Sequence, residues 1–399
     1  MLYDRKQINL HEKIIDIFPD KLPAQISPNL QKMTVYHLLT MTTGHERCIM
    51  SDMYNTKDAA MAFLSQPVSY EPGTYFMYNT GASCMLAEIV KRKTGRKLFD
   101  FAYETLFEPL GIENVYWTEC AQGVNEGGIG LHICNDDIAK FGLMLLHEGL
   151  YNGKRILSQD WCRQMGAAQV DNSNNGDSGS GNWTSGYGYQ CWITKKDGYR
   201  ADGAGGQLCM VMPSHKAVVA INARTINMEK EIVDTVNLIE HLFDLDKEEI
   251  KITDYQTLPI GILPNFCKNS RFILEENVSG FTELHIHQTE KNIILDFFNG
   301  YKKQRITAGL GAWSESTFTA LGRTPKLLTV MNPYKSERIH IAACAGGDAD
   351  TLKIIFRHLS DPQTEFITIC VQNCMIQINF ECIQDMLPPD CSILRGHTI

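Results

Sequence analysis

Two rhythms of apolar and polar positions divide this chain of 399 residues. As far as about residue 245 the apolar positions recur at helical spacing, interrupted by short strands. "GASCMLAEIVKRKTG", residues 81–95, puts Met85, Leu86, Ile89 and Val90 on one stripe. It stops at Gly95, with lysines and an arginine in its last turns. "NDDIAKFGLMLLHEG" repeats that design. Asn135 is the cap, acids fill the first turn, Ile138, Phe141, Leu145 and Leu146 form the apolar face, and Gly149 is the stop. "TVYHLLTMTTGHE" predicts a helix that opens at Thr34 and ends in Gly44, and "SQDWCRQM" a short one capped by Ser158. A polar Gly/Ser/Asn loop over 171–186 leads into "YGYQCWI" and "QLCMVMPSHKAVVAINAR", which read as sheet strands.

The second rhythm has period two. "ELHIHQ", "NIILDFF", "TLKIIFRHL", "EFITICV" and "MIQINFEC" are short alternating or β-branched runs, parted by Gly, Asn, Asp and Pro. They predict an antiparallel β domain over 263–399, joined to the first part (1–245) by a linker at 246–262. The expected class is therefore α+β: a sheet flanked by helices, then a β-rich domain.

Composition narrows the partners. Apolar residues are 44% and charged residues 21%, as in an ordinary globular protein, and the net charge is −9 with no basic cluster, so a nucleic-acid surface is not expected. Charged residues or His interrupt every apolar run well before membrane-spanning length, so no membrane span is expected. The first twenty residues lack the apolar core of a signal peptide, and the 13 cysteines are scattered. Both features suit reduced thiols in a cytoplasm. Cys370 with Cys374 and His285 with His287 are the only metal-like pairs, and they read more simply as core cysteines and a strand face. No metal or other cofactor is expected.

Four stretches, in order, carry a resemblance. "TVYHLLTMTTGHE", "EPGTYFMYNTGASCMLAEIV…EPLGIENVYW", "GGIGLHICNDDIAKFGLMLL" and "GYGYQCWI…YRADGAGGQLCMVMP" resemble motifs of the serine β-lactamase and penicillin-binding-protein superfamily over roughly residues 5–225. The nearest branch is the class C-like one of esterases, D-amino-acid peptidases and amide hydrolases. The resemblance implies hydrolysis of a small ester, amide or D-amino-acid peptide through an acyl-enzyme. It makes Tyr78 part of the general-base network, and it places Asn79 and Thr80 at the substrate, Thr80 standing where Asn or Ser is usual. The third motif, usually Lys-Thr-Gly or His-Thr-Gly, falls on Gly203, Ala204 and Gly205 as a bare substrate-binding strand, with the Gly206 N–H as oxyanion donor. Loss of the motif's cation makes an ester or amide a better substrate than one whose carboxylate must be clamped.

The family's nucleophile motif is S-x-x-K, which sets a lysine one helical turn after the serine. No serine of this chain has lysine three residues on; Ser214-His-Lys comes nearest, at the wrong spacing. The segment that follows that motif in the family is matched from Tyr3, so the nucleophile helix is expected before Met1. The chain as it stands is then expected to be inactive. It is either the end of a longer enzyme, a non-catalytic ligand-binding remnant, or one partner of a separate helix-bearing polypeptide. A missing helix also predicts an exposed apolar groove at Leu38, Leu39, Met85, Leu86 and Ile89, or its filling by a homodimer or by another segment of the chain.

Overall fold

The computed structural model describes residues 1–54, 56–119, 123–176, 181–196, 198–223, 225, 227–244, 261–277, 280–300, 302–319, 338–359, 364–383 and 390–399. It divides into two compact units: Met1–Asn222 with Met228–Asp244, and Ala223–Asn227 with Leu245–Ile399. Apart from its last two residues, the linker expected at 246–262 lies outside the described residues.

In the first unit, helix α1 (Val35–Leu39) opens where the sequence puts it, with the Thr34 backbone N–H donating to His37 Nδ1 at 3.1 Å. It ends sooner than expected. The Thr40 hydroxyl donates to the Tyr36 carbonyl at 2.8 Å, and Met41 takes a left-handed backbone with φ 57°, so residues 40–44 form a loop. Helix α2 (Ala59–Leu64) is capped by Asp58, whose carboxylate accepts from the Met61 N–H. In helix α3 (Thr80–Thr94), Asn79 Oδ1 accepts from the Gly81 N–H at 3.0 Å; at the other end Gly95, at φ 70°, donates to Lys91. Helix α4 (Asn135–Leu146) begins at Asn135 itself, with Cys134 as an uncapped N-cap. In α5 (Gln159–Met165) the Ser158 hydroxyl is the cap, accepting from the Trp161 N–H at 3.1 Å. Helix α6 (Met228–Asp244) has no counterpart among the elements expected from the sequence.

Strands β1 (Trp192–Ile193), β2 (Tyr199–Gly203), β3 (Gln207–Met212) and β4 (Ala217–Asn222) form an antiparallel sheet in that order. Strand β3 is apolar at nearly every position because both its faces are covered. Leu208, Met210 and Met212 pack with Ile232 and Val236 of α6, whereas Val211 joins the cluster that holds Met144 and Leu145 of α4.

Leu38 and Met85 are wholly buried, Leu39 and Ile89 nearly so and Leu86 half-buried. No exposed groove stands there; of the outcomes expected, the one found is that other segments of the chain cover these positions. Tyr187, Tyr189 and Trp192 pack in the same core, and the Gln190 amide donates to the Leu38 and Leu39 carbonyls at 3.1 and 3.2 Å. Each such buried side chain contributes about 1.5–3 kcal/mol.

The second unit is a ten-stranded sheet, antiparallel except for one parallel pairing. Its strands are β5 (Asn269–Leu274), β6 (Glu283–Gln288), β7 (Asn292–Asn299), β8 (Lys302–Leu310), β9 (Ser314–Thr319), β10 (Arg338–Gly347), β11 (Thr351–His358), β12 (Thr364–Gln372), β13 (Met375–Ile383) and β14 (Asp390–Thr398). The order is β8-β7-β6-β5-β14-β13-β12-β11-β10-β9, and β8 also pairs with β10 through Gly309↔Cys344 and Leu310↔Ala345. That last pairing curls the sheet into a barrel. Alternate residues point inward: Leu284 and Ile286, Ile293, Leu295 and Phe297, Leu352, Ile354 and Phe356 share one core.

Candidate active site

Tyr78 sits at the end of the strap "EPGTYFMYNTG", and the backbone explains why the strap is rigid. Gly73, at φ 92°, donates to the Thr42 carbonyl at 2.8 Å, and Met77 donates to the Met41 carbonyl at 2.9 Å. The strap is thus pinned to the loop after α1 and delivers Tyr78 two residues ahead of α3. The Tyr78 ring stacks on Trp192 of β1, with centroids 5.5 Å apart and planes 18° apart, and meets Tyr187 edge-on at 6.5 Å. It retains 38% exposure, while Trp192 and Tyr187 beneath it are buried. Burial pushes the phenol's pKa up, and the negative charge of Asp202 adds to the effect, followed by Cys48.

Arg200 and Asp202, two residues apart on β2, were not singled out from the sequence. Arg200 is wholly buried and the Asp202 side chain is 3% exposed. Arg200 Nε donates to Asp202 Oδ2 at 3.0 Å and Nη2 to the Asn182 carbonyl at 2.9 Å, and the guanidinium lies over Trp183 at 4.9 Å. Trp183 in turn meets Trp192 edge-on at 4.8 Å. Asp202 Oδ1 is buried without a hydrogen-bond partner. Burial pushes the Asp202 carboxyl up to about 6 against the opposing pull of Arg200. The one sequence signal for this pair was its spacing: Arg and Asp at i and i+2 share one face of a strand in an otherwise apolar sheet.

The other expected site residues lie as follows. Asn79 is fully buried, its Oδ1 accepting from the Ile49 and Gly81 N–H groups; it is a cap and a loop anchor. Thr80 is half-buried and faces the Gly127-Gly128 loop; a Cβ on Gly128 would stand 2.5 Å from Thr80 Cγ2. Gly203 ends β2, Ala204 is exposed, and Gly205 and Gly206 are buried with φ 90° and 95°, a conformation glycine takes readily. The Gly206 N–H donates to the Gly203 carbonyl at 3.2 Å. In this structure the group closes the β2–β3 turn.

An open cavity of about 630 Å³ lies elsewhere, lined by Met1, Asp4, Arg5, Glu104, Lys154 and Arg155 among others, and includes none of these residues. The metal-like pairs make ordinary contacts. His285 Nε2 is 3.0 Å from Glu283 Oε2, and Cys370 Sγ is 3.6 Å from the Thr351 hydroxyl. Among the described residues no helix is long and apolar enough to cross a membrane.

An antiparallel sheet with helices on both faces is the arrangement of the β-lactamase/transpeptidase type of fold. The family described as Beta-lactamase matches residues 1–239, and the chain belongs to that family. It is 32% identical over 80 residues to the lovastatin esterase of Penicillium rubens, a stretch covering 20% of each chain, so it spans only a fifth of that relative's length. Among solved structures it is similar to a candidate 6-aminohexanoate-dimer hydrolase from Bacillus anthracis: TM-score 0.50, 21% identity, 62% of this chain and 70% of the other. It is also similar to EstCE1, described as a hydrolase with promiscuous acyltransferase activity, with TM-score 0.49, 16% identity and coverage of 60% and 79%.

Proposed function

We propose that this chain carries the tyrosine side of a serine-hydrolase site that cleaves a small ester or amide through an acyl-enzyme, in a reducing cytoplasm. The observation that carries the reading is Tyr78: a phenol held on Trp192 by a strap pinned at Gly73 and Met77, in a chain of the Beta-lactamase family. A phenol so placed passes a proton between an attacking hydroxyl and a leaving group. An ester is favoured because the third motif has no cation to clamp a carboxylate, and because the curated relative is named as an esterase. The ten cysteines described are free thiols, which suits that compartment. The serine and lysine of S-x-x-K, absent from these residues, would come from sequence outside them.

The test reads the 5′ end of the transcript and labels the encoded protein with a fluorophosphonate, followed by peptide mass mapping. An in-frame S-x-x-K whose serine takes the label supports the reading. An adduct on Ser83 or any other serine of the chain described here would show the site to be misplaced. A transcript without the motif, giving a protein that takes no label, would favour the second reading: a ligand-binding remnant of the fold.

A further inference from the structure

The described residues of the polar segment 171–186 are tied down more closely than a connection between elements needs. The Trp183 carbonyl accepts from Asn172 Nδ2 at 2.9 Å and from Asn175 Nδ2 at 3.3 Å, and Asn172 Oδ1 accepts from the Gly186 N–H at 2.7 Å. One residue earlier, the Asn182 carbonyl accepts from Arg200 Nη2 at 2.9 Å, and the Arg200 guanidinium covers the Trp183 ring at 4.9 Å. Arg200 is wholly buried, with Asp202 beside it. An ion pair so buried adds little net stability, so its place needs another reason. Two contacts run from this segment towards Tyr78. Trp183 meets Trp192 edge-on at 4.8 Å, and Trp192 carries the Tyr78 ring in a stack at 5.5 Å. Asn174 Nδ2 donates to the Phe76 carbonyl at 2.8 Å, two residues before Tyr78 on the strap.

We propose that Trp183 and Asn174 are positioning residues for Tyr78: held by Arg200 and Asn172, they fix its ring through Trp192 and through the strap backbone. Every link is a direct contact. Trp192 is buried, and Phe76, Tyr187 and Trp183 each meet it edge-on. Trp183 is the one of these rings whose own face is clamped by a cation. Any rotation of the Trp192 indole would carry the stacked Tyr78 ring with it, and a misplacement of about 1 Å at a reacting group can cost about 10²-fold in rate. The buried arginine then has a use that fits its cost. A planar guanidinium stacks on the indole and holds its angle, where an apolar side chain would only fill the space. The inference rests on reading Tyr78 as the reactive group. The placement of the ring can be read without activity, however, and can fail while the hydrolase reading stands.

Fluorine NMR of protein labelled with 3-fluorotyrosine reads the placement of the ring, with Tyr78→Phe assigning the Tyr78 resonance. In the native chain that resonance should carry the ring-current displacement of a tyrosine stacked on an indole. Trp183→Leu should move it towards the position of exposed tyrosines, and Asn174→Ala should move it less, in the same direction. Trp183→Phe, which keeps an aromatic ring between Arg200 and Trp192, should restore it. The kinetic arm is hydrolysis of p-nitrophenyl butyrate by the protein encoded by the full transcript. Trp183→Leu should lower kcat by about tenfold with KM nearly unchanged, and should lower it no further in a Tyr78→Phe background. A residue that only supports the fold would lower kcat equally in both backgrounds. Should Trp183→Leu not fold, Asn174→Ala, at an exposed residue, takes its place. A folded Trp183→Leu or Asn174→Ala protein with the Tyr78 resonance at its native position overturns the proposal, and so does an equal fall of kcat in both backgrounds. A protein that turns over no ester but shows the shifted resonance would remove the hydrolase reading and leave the positioning of the ring standing.

Discussion

The two units treat charge in opposite ways. In the barrel the apolar core has no charged member among the described residues, and its main ion pair lies on the outer face: Arg305 forks onto Asp296 at 2.7 Å with the arginine 47% exposed. In the first unit Arg200 is 0% exposed, with aromatic rings around it and Asp202 beside it. Burying an ion pair gives little net stability, because desolvation consumes most of the attraction. A unit built for stability alone has little reason to do it, and in the barrel only the carboxylate is buried: Asp296 is 7% exposed while Arg305 reaches solvent. The first unit buries both partners, in the sheet whose Trp192 stacks under Tyr78. Unmet polar atoms do not follow this division: Asn79 Nδ2, His45 Nε2 and Asp202 Oδ1 are buried without hydrogen-bond partners in the first unit, and Ser316 Oγ and Arg357 Nε in the barrel.

Removing an arginine from each unit is the sharpest way to break this contrast. Arg200→Ala strands the Asp202 charge and should destabilise the first unit by about 3–5 kcal/mol. Arg305→Ala should cost less, because its guanidinium is 47% exposed and Lys303 stands 3.8 Å from the same Asp296 carboxylate. Denaturant melts followed separately by tryptophan fluorescence, which reports the first unit through Trp183 and Trp192, and by far-ultraviolet circular dichroism would measure both. Equal losses would erase the distinction.

If the barrel gains its stability from packing alone, Leu284→Ala, at a wholly buried position, should cost about 2–5 kcal/mol and leave the Tyr78 resonance untouched. The check is a urea midpoint shift at constant slope.

Acid should weaken the first unit in particular. His45 is buried against Phe63, with Nδ1 2.8 Å from the Thr43 hydroxyl, and burial pushes its pKa down to about 4. A histidine held neutral contributes stability that is fully present above about 6.5 and is lost as pH falls towards 4, about 3 kcal/mol at the limit. Asp202 has the opposite sign. With a folded pKa raised to about 6, its contribution is present below about 4 and lost as pH rises through 6. Melting temperatures of native and His45→Gln protein at pH 7 and pH 4.5 separate the two. The variant should lose most of the acid sensitivity; an undiminished drop would mean His45 is not its source.

The smallest effect belongs to the solvent-facing pairs. Lys32 and Glu71 meet at 2.8 Å with both side chains more than half exposed, so Lys32→Met should change stability by less than about 0.5 kcal/mol in the same melts.

What the sequence made legible follows from the range of the interactions involved. The caps of α1 and α5, the Gly95 stop and the inward alternation of the barrel strands are local patterns, and they stand where the sequence put them. The strap could be read because Pro72-Gly73 and the helix start behind Tyr78 are contiguous. The end of α1 could not, because it turns on one left-handed residue, Met41. The turn bond that occupies the Gly206 N–H was invisible for a similar reason: an alignment to a motif does not show which backbone groups are already paired. Closure of the barrel by Gly309 and Leu310 on Cys344 and Ala345 joins residues far apart in sequence. The Arg200–Asp202 pair looked like two ordinary strand charges until the sheet, α6 and Trp183 enclosed them.

The account stands or falls on Tyr78 as the reactive phenol. The direct measurement is kcat for hydrolysis of p-nitrophenyl butyrate by the protein encoded by the full transcript, native against Tyr78→Phe. The phenol and the phenyl ring stack alike on Trp192, so only the hydroxyl is lost. The account predicts a fall in kcat of about 10²–10⁴-fold with little change in KM. A Tyr78→Phe protein that turns over the ester at the native rate would contradict it.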